Sequence, residues 1–227
     1  MLIIIPAVLN KNTVKVFRQQ LDTAEWIDGR DSAGSLSTKV KHNQQLSEQS
    51  EVARQLGNHL LGILGRHPLF FSAALPDRIY PPRFNRHGPG EYYGTHVDGS
   101  IMAMADGRLL RSDLSATMFL SEPDEYDGGE LTIETSFGAQ PVKLPAGDMV
   151  LYPSSSLHQV APVTRGLRCC SFFWLQSMVA DASERALLFD LDQTIQQLTA
   201  SANESQQAQL VQFSGVYHNL LRRWAKV

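Results

Sequence analysis

Between residues 69 and 176 the chain never runs far without a turn signal. Short apolar or alternating segments are broken by Pro76-Asp77, His87-Gly88-Pro89-Gly90, Asp127-Gly128-Gly129, Phe137-Gly138-Ala139, Pro145-Ala146-Gly147-Asp148 and Thr164-Arg165-Gly166. Segments of that length suit strands better than helices, and many short strands with frequent turns predict a sandwich or barrel of jelly-roll type. The flanks differ. Met1-Leu2-Ile3-Ile4-Ile5-Pro6 reads as a first buried strand, being too short to span a bilayer and lacking the basic leader of a signal sequence. Residues 13–24 show helical spacing at Val14, Phe17 and Leu21, with Asn12 or Thr13 as cap. Residues 29–41 read as a loop. Residues 47–64 form a second amphipathic helix with Val52, Leu56, Leu60 and Leu64 on one stripe, stopped at Gly65. The expected fold class is mainly β with flanking helices.

Residues 182–227 turn helical again. One stripe carries Leu187, Leu188, Leu191, Ile195 and Leu198; another carries Leu210, Phe213, Val216, Tyr217, Leu220, Leu221 and Trp224. Ser201-Ala202-Asn203-Glu204 links them as a helical hairpin. Such a tail either packs on its own barrel or serves as a surface for homo-oligomers or partners, and amphipathic stripes favour the first. The sequence divides into an N-terminal strand with supporting helices (1–77), a β core (78–178) and a helical extension (179–227).

Composition sets few further limits. A net charge of −3 offers no basic stripe for nucleic acid. The two cysteines, Cys169 and Cys170, are adjacent, so on a strand they point to opposite faces and do not pair. That usage fits a reducing cytoplasm.

The chemistry is concentrated in Tyr93-Gly94-Thr95-His96-Val97-Asp98. On a strand His96 and Asp98 project to one face, about 7 Å apart along the chain. A remote His158 completes two imidazoles and one carboxylate, the facial set that suits non-haem Fe(II) with open coordination positions. Arg168 follows ten residues later. If Thr164-Arg165-Gly166 makes a hairpin turn, Arg168 lies about 13 Å from His158 along the strands. That gap fits a dicarboxylate that chelates the metal at one end and meets a guanidinium at the other. The competing reading is a hydrogen-bonded buried His and an Arg in a structural ion pair. Residues 99–111, which follow the pair directly, form either a lid or a plain connection.

These residues resemble the Fe(II)- and 2-oxoglutarate-dependent dioxygenase superfamily, and within it the bacterial PKHD-type (prolyl/lysyl hydroxylase-like) hydroxylases associated with iron uptake. His87-Gly88-Pro89-Gly90-Glu91-Tyr92-Tyr93-Gly94-Thr95-His96-Val97-Asp98 is similar to the pattern Tyr-x-x-Gly-x-x-Tyr-x-x-His-x-Asp. Glu125-Tyr126-Asp127-Gly128-Gly129-Glu130-Leu131, Gly147-Asp148-Met149-Val150-Leu151-Tyr152-Pro153 and the stretch from His158 to Arg168 resemble later segments of that branch. The likeness is dense over residues 80–176 and looser in both flanks.

The resemblance implies a double-stranded β-helix core in which His96, Asp98 and His158 hold iron. It implies that Arg168 holds the distal carboxylate of 2-oxoglutarate and that Tyr93 faces the site. His87 stands where the branch often has a Tyr that helps hold 2-oxoglutarate; it either donates the same hydrogen bond or sits outside the pocket. The implied reaction hydroxylates a substrate with O2 while 2-oxoglutarate becomes succinate and CO2, with L-ascorbate sustaining Fe(II). A peptide, an amino acid and a siderophore-like small molecule all remain open as substrate. The alternative is a non-catalytic protein on the same scaffold that responds to iron or 2-oxoglutarate.

Overall fold

The computed structural model describes residues 1–32 and 37–226 of the 227-residue chain. The N-terminal third contains β1 (Ile3–Ile5), α1 (Lys11–Asp22), β2 (Trp26–Asp28), β3 (Lys41–His42), β4 (Gln44–Leu46), α2 (Glu51–Leu64) and α3 (Pro68–Ala74). Next come β5 (Pro76–Ile79), β6 (Arg83–His87), β7 (Tyr92–His96), β8 (Ile101–Ala103), β9 (Leu109–Arg111) and β10 (Leu114–Phe119). They are followed by β11 (Tyr126–Gly128), β12 (Leu131–Thr135), β13 (Gly138–Val142), β14 (Met149–Pro153), β15 (His158–Val160), β16 (Val163–Gly166) and β17 (Arg168–Ser177). Helices α4 (Ala182–Ser201) and α5 (Gln207–Trp224) close the chain.

Two antiparallel sheets form the jelly roll. The larger runs β1-β14-β10-β17-β6-β4-β2, with β5 also paired to β17, and the smaller runs β13-β12-β15-β7-β3. The N-terminal strands β1, β2 and β4 are therefore part of the large sheet. Strand alternation sorts β17 into two roles. Cys169, Phe173 and Leu175 face the helices and join Phe17, Leu21, Leu56, Leu60 and Phe84 in the main core. Arg168, Phe172 and Trp174 line a cavity between the sheets. Cys170 belongs to a second core with Phe119, Leu131 and Val160, so the two thiols do lie on opposite faces, both free and buried.

Several expected boundaries shift, each for a local reason. Helix α1 starts earlier because Asn10 caps it, its Oδ1 accepting from Thr13 N at 2.9 Å. Helix α2 starts at Glu51 because Ser50, not Ser47, is the cap. The strand-rich pattern is expected from residue 69, yet Pro68–Ala74 form α3. Pro68 sits in the first turn, the His67 ring accepts from Phe70 N at 3.3 Å, and Leu75 at φ 41° ends the helix. Pro76-Asp77, expected to separate strands, begins β5 instead. Residues 101–111 hold the β8–β9 hairpin. Residues 33–36 of the expected loop lie outside the described residues, and its described part contains two short 3-10 turns.

The largest correction concerns Thr164-Arg165-Gly166. It is not a hairpin turn but part of β16, which pairs with β11 in a small separate ladder. His158 and Arg168 therefore belong to opposite sheets, β15 in the smaller and β17 in the larger, and the distance estimate along one hairpin does not apply.

The C-terminal helices pack on the barrel through Leu188 and Tyr217, which meet Leu75 and Val179 with Leu191, Ile195, Leu220, Leu221 and Trp224 around them. Arg185 is buried, its Nη1 donating to Val179 O at 2.7 Å and Ala180 O at 2.8 Å. Part of each expected stripe faces outward: Leu187, Leu198, Phe213 and Val216 are exposed. No described helix is long and apolar enough to cross a membrane. Leu188→Ala is expected to cost about 2–5 kcal/mol through the cavity it leaves, lowering Tm by roughly 5–15 °C for a domain of this size. Leu187→Ala should change stability by less than about 0.5 kcal/mol. Equal Tm shifts for the two variants in thermal unfolding would contradict this packing.

Candidate active site

The cavity between the sheets measures about 450 Å³, within the usual range for small-ligand sites. His96 ends β7 and His158 opens β15, and the two are register partners. Asp98 reaches the same point from beyond the strand end, so strand alternation is not what aligns it with His96. Donor atoms of His96, Asp98 and His158 all lie within 4.8 Å of one another, and His158 Nε2 is 3.7 Å from Asp98 Oδ2.

Hydrogen bonds fix both imidazole tautomers. His96 Nδ1 is 2.8 Å from Gly94 O, and His158 Nδ1 is 3.0 Å from Ser156 O. A carbonyl only accepts, so each Nδ1 carries the proton and each Nε2 lone pair is left for a metal. Burial, followed by the neighbouring His158, pushes the His96 pKa down to about 4, which keeps its imidazole neutral at physiological pH. Aromatic rings hold the imidazoles in place. Tyr93 stacks on His96 at 3.6 Å and 14°, and Tyr152 meets His158 edge-on at 5.2 Å. The Ser115 hydroxyl donates to Asp98 Oδ2 at 2.6 Å and, its proton being committed, accepts from Ser154 Oγ at 2.7 Å. Two imidazole nitrogens and one oriented carboxylate fit ferrous iron.

Tyr93 and His96 are three residues apart, which places them on opposite faces of a regular strand. A register irregularity between His158 and Val160, where β7 pairs with β15, brings both into the cavity. Close backbone approach adds a second constraint, since a Cβ at Gly94 would lie 2.9 Å from Val40 Cβ.

Arg168 lies in the large sheet and is 1% exposed. Its guanidinium carbon sits 5.4 Å from the Phe119 ring centre. No carboxylate among the described residues pairs with it, and its Nε has no hydrogen-bond partner. Its register partner His87 is fully buried and is not on the cavity wall. The Asn43 amide donates to His87 Nε2 at 3.3 Å, which leaves a proton on Nδ1 with no acceptor. Burial, then Arg168 and Lys41, hold the His87 pKa well below its usual value. Asn85, on the cavity wall, and Tyr126 also carry unmatched buried oxygens. A buried cation on the cavity wall whose Nε lacks a partner fits an anionic ligand group.

Comparison with known proteins agrees with this geometry. Residues 82–176 match the 2OG-Fe(II) oxygenase superfamily, and residues 182–226 match the PKHD-type hydroxylase C-terminal domain. A PKHD-type hydroxylase of Teredinibacter turnerae is 60% identical over 226 residues, covering 100% of both chains. The chain belongs to the PKHD-type hydroxylase family. A second family member, from Stenotrophomonas maltophilia, is 55% identical over 227 residues and also covers both chains fully. The crystal structure of a Pseudomonas putida prolyl-4-hydroxylase shares the fold at a TM-score of 0.52 and 21% identity, over 78% of this chain and 92% of that one.

This PKHD-type hydroxylase is thus an Fe(II)- and 2-oxoglutarate-dependent enzyme built on a His-x-Asp…His triad. Several of its cavity residues escaped sequence reasoning. Ser115 and Thr117 alternate within an apolar run, a signal that two polar side chains face inward on a core strand. Tyr152 sits one residue before the end of β14, the strand that precedes His158. Lys41 and Asn85 carry no local signal, because only sheet topology brings them to the wall. Ser115→Ala is expected to weaken Fe(II) affinity about 10- to 100-fold, as for other partners that orient a ligand. An unchanged metal titration would show that Asp98 does not need this hydroxyl.

Proposed function

We propose that Arg168 binds the distal carboxylate of 2-oxoglutarate and that Tyr93 and His87 complete its surroundings. The observation that carries this reading is a fully buried guanidinium with no carboxylate partner among the described residues. Leaving such a charge unmatched is costly, whereas a bound carboxylate satisfies its unmet Nε. His87, the register partner of Arg168, lies off the cavity wall and backs the guanidinium rather than replacing the tyrosine more usual at that position. Tyr93 keeps His96 upright by stacking.

His96, Asp98 and His158 would hold ferrous iron through two Nε2 atoms and a carboxylate oxygen. With 2-oxoglutarate and O2, the bound metal supplies the oxidising chemistry that hydroxylates a C–H bond as 2-oxoglutarate becomes succinate and CO2. The protein orients both molecules. Leu131, Val160 and Phe172 on the cavity wall limit water. Residues 78–178 carry this chemistry, while residues 1–77 and 179–227 buttress it. The two unpaired buried thiols support a reducing, cytoplasmic setting in which ascorbate keeps iron ferrous.

The direct test is succinate release from 2-oxoglutarate by protein reconstituted with Fe(II), with and without O2. Succinate should form only with both metal and O2, and added chelator should stop it. Metal-independent release would reject the assignment.

A further inference from the structure

Beyond the triad and Arg168, the cavity wall carries Lys41, Arg83, Phe172 and Trp174. Arg83 opens β6 opposite Phe172, while Arg168 lies opposite His87 at the other end of the same strand pair. Four residues of strand separate the two levels, about 13 Å. Each end of this wall therefore has its own guanidinium.

Arg83 is held in an aromatic bracket. Its guanidinium carbon lies 5.1 Å from the Tyr80 ring centre and 5.5 Å from that of Trp174, and Phe172 meets Trp174 edge-on at 5.5 Å. Nη2 donates to the Tyr80 hydroxyl at 3.1 Å and pairs with Glu48, whose side chain is 54% exposed. Nε is buried and donates to nothing. Lys41, also buried, donates to Gln45 Oε1 at 3.0 Å.

The sign of the wall decides what it attracts. Its charged lining residues are Lys41, Arg83, Arg168 and Asp98. A divalent metal and the doubly charged 2-oxoglutarate offset each other, as do Asp98 and Arg168. Arg83 remains, with Glu48 offsetting it only from the solvent side. In a low-dielectric cleft that surplus favours an anion over a neutral analogue.

We propose that the substrate to be hydroxylated is an organic anion whose carboxylate docks on Arg83, with its apolar part against Trp174 and Phe172. The proposal rests on the assignment of Arg168 to 2-oxoglutarate, because a second carboxylate then needs a second cation. A free small acid and the carboxylate of a peptide share this chemistry.

The test uses the full chain with Fe(II) and saturating 2-oxoglutarate, without O2. Benzoate and N-acetylphenylalanine are each titrated beside the matching amide, benzamide or N-acetylphenylalaninamide, following tryptophan fluorescence. Trp174 reports because it lines the cavity, whereas Trp26 and Trp224 do not. Each acid should bind at least about tenfold tighter than its amide, as expected for a charge-assisted pair. Arg83→Met should erase that difference, and Glu48→Gln, at an exposed position, should tighten acid binding severalfold while leaving the amides unchanged. Tighter benzoate points to a small acid and tighter N-acetylphenylalanine to a peptide carboxylate; both support the proposal. Equal binding of acid and amide, or binding of neither, overturns it. So does an acid preference that ignores Glu48→Gln, which decides the matter even if Arg83→Met does not fold. The charge-transfer absorption of bound 2-oxoglutarate is recorded in the same samples, and its absence would instead overturn the placement of 2-oxoglutarate in this cavity, on which the Arg168 assignment depends.

Discussion

Arg168→Ala is expected to raise the 2-oxoglutarate Kd by at least about 30-fold while changing Fe(II) affinity less than about threefold. Truncating one side of a buried, hydrogen-bonded charge pair costs about 2–5 kcal/mol, because the other charge is left without a partner. Here the stranded group would be the distal carboxylate of 2-oxoglutarate, left in the buried surroundings of Phe119. Arg168→Lys should recover only part of the loss, since an ammonium lacks the planar fork. Gly129→Ala should reproduce some of it without removing the charge. Gly129 has φ +67°, and a Cβ there would sit 3.0 Å from Arg168 Cδ and 2.9 Å from Val163 Cγ2. Anaerobic titration of 2-oxoglutarate measures all three variants. Equal weakening of metal and 2-oxoglutarate by Arg168→Ala would mean that the guanidinium supports the fold rather than the co-substrate.

The second large effect belongs to Asp98→Ala. Partners that merely orient a metal ligand are worth about 10- to 100-fold in affinity, so loss of the carboxylate itself should exceed about 100-fold and abolish measurable succinate release. Asp98 contributes the triad's negative charge, and no other carboxylate lines the cavity among the described residues to replace it. The fold should survive, since Asp98 lies outside the regular strands and its described side-chain partners are Ser115 and His158. Asp98→Asn is informative beside it, as it keeps the shape and the Ser115 contact but removes the charge. Retained turnover in Asp98→Ala would reject the triad, and lost secondary structure by circular dichroism would give Asp98 a structural role instead.

The sequence revealed the site's chemistry more readily than its geometry. His96, Asp98 and His158 were legible because their residue types and spacing are tied to metal binding. How they converge was not. The turn expected at Thr164-Arg165-Gly166 rests on good local turn chemistry, but residues 163–166 gain more by pairing with β11, which sends His158 and Arg168 to opposite sheets. Tyr93 faces the site only because β7 and β15 lose register, a long-range effect with no mark in the local pattern. Local pattern misled at α3 as well, where a short, mostly apolar segment was outweighed by Pro68 and the His67 cap. The flanking helices α1 and α2 were readable from Val14, Phe17 and Leu21 and from Leu56, Leu60 and Leu64, since apolar spacing reports burial directly. The outward residues Leu187 and Phe213 show where such spacing was over-read.

Anaerobic titration of the intact protein with Fe(II) and then 2-oxoglutarate, followed by visible absorption, tests the shared cavity most directly. A charge-transfer band should grow to saturation at one equivalent of each, disappear in Asp98→Ala, and require far more 2-oxoglutarate in Arg168→Ala. A protein that shows no such band, or one whose band is indifferent to both substitutions, would contradict a single site built from the triad and Arg168.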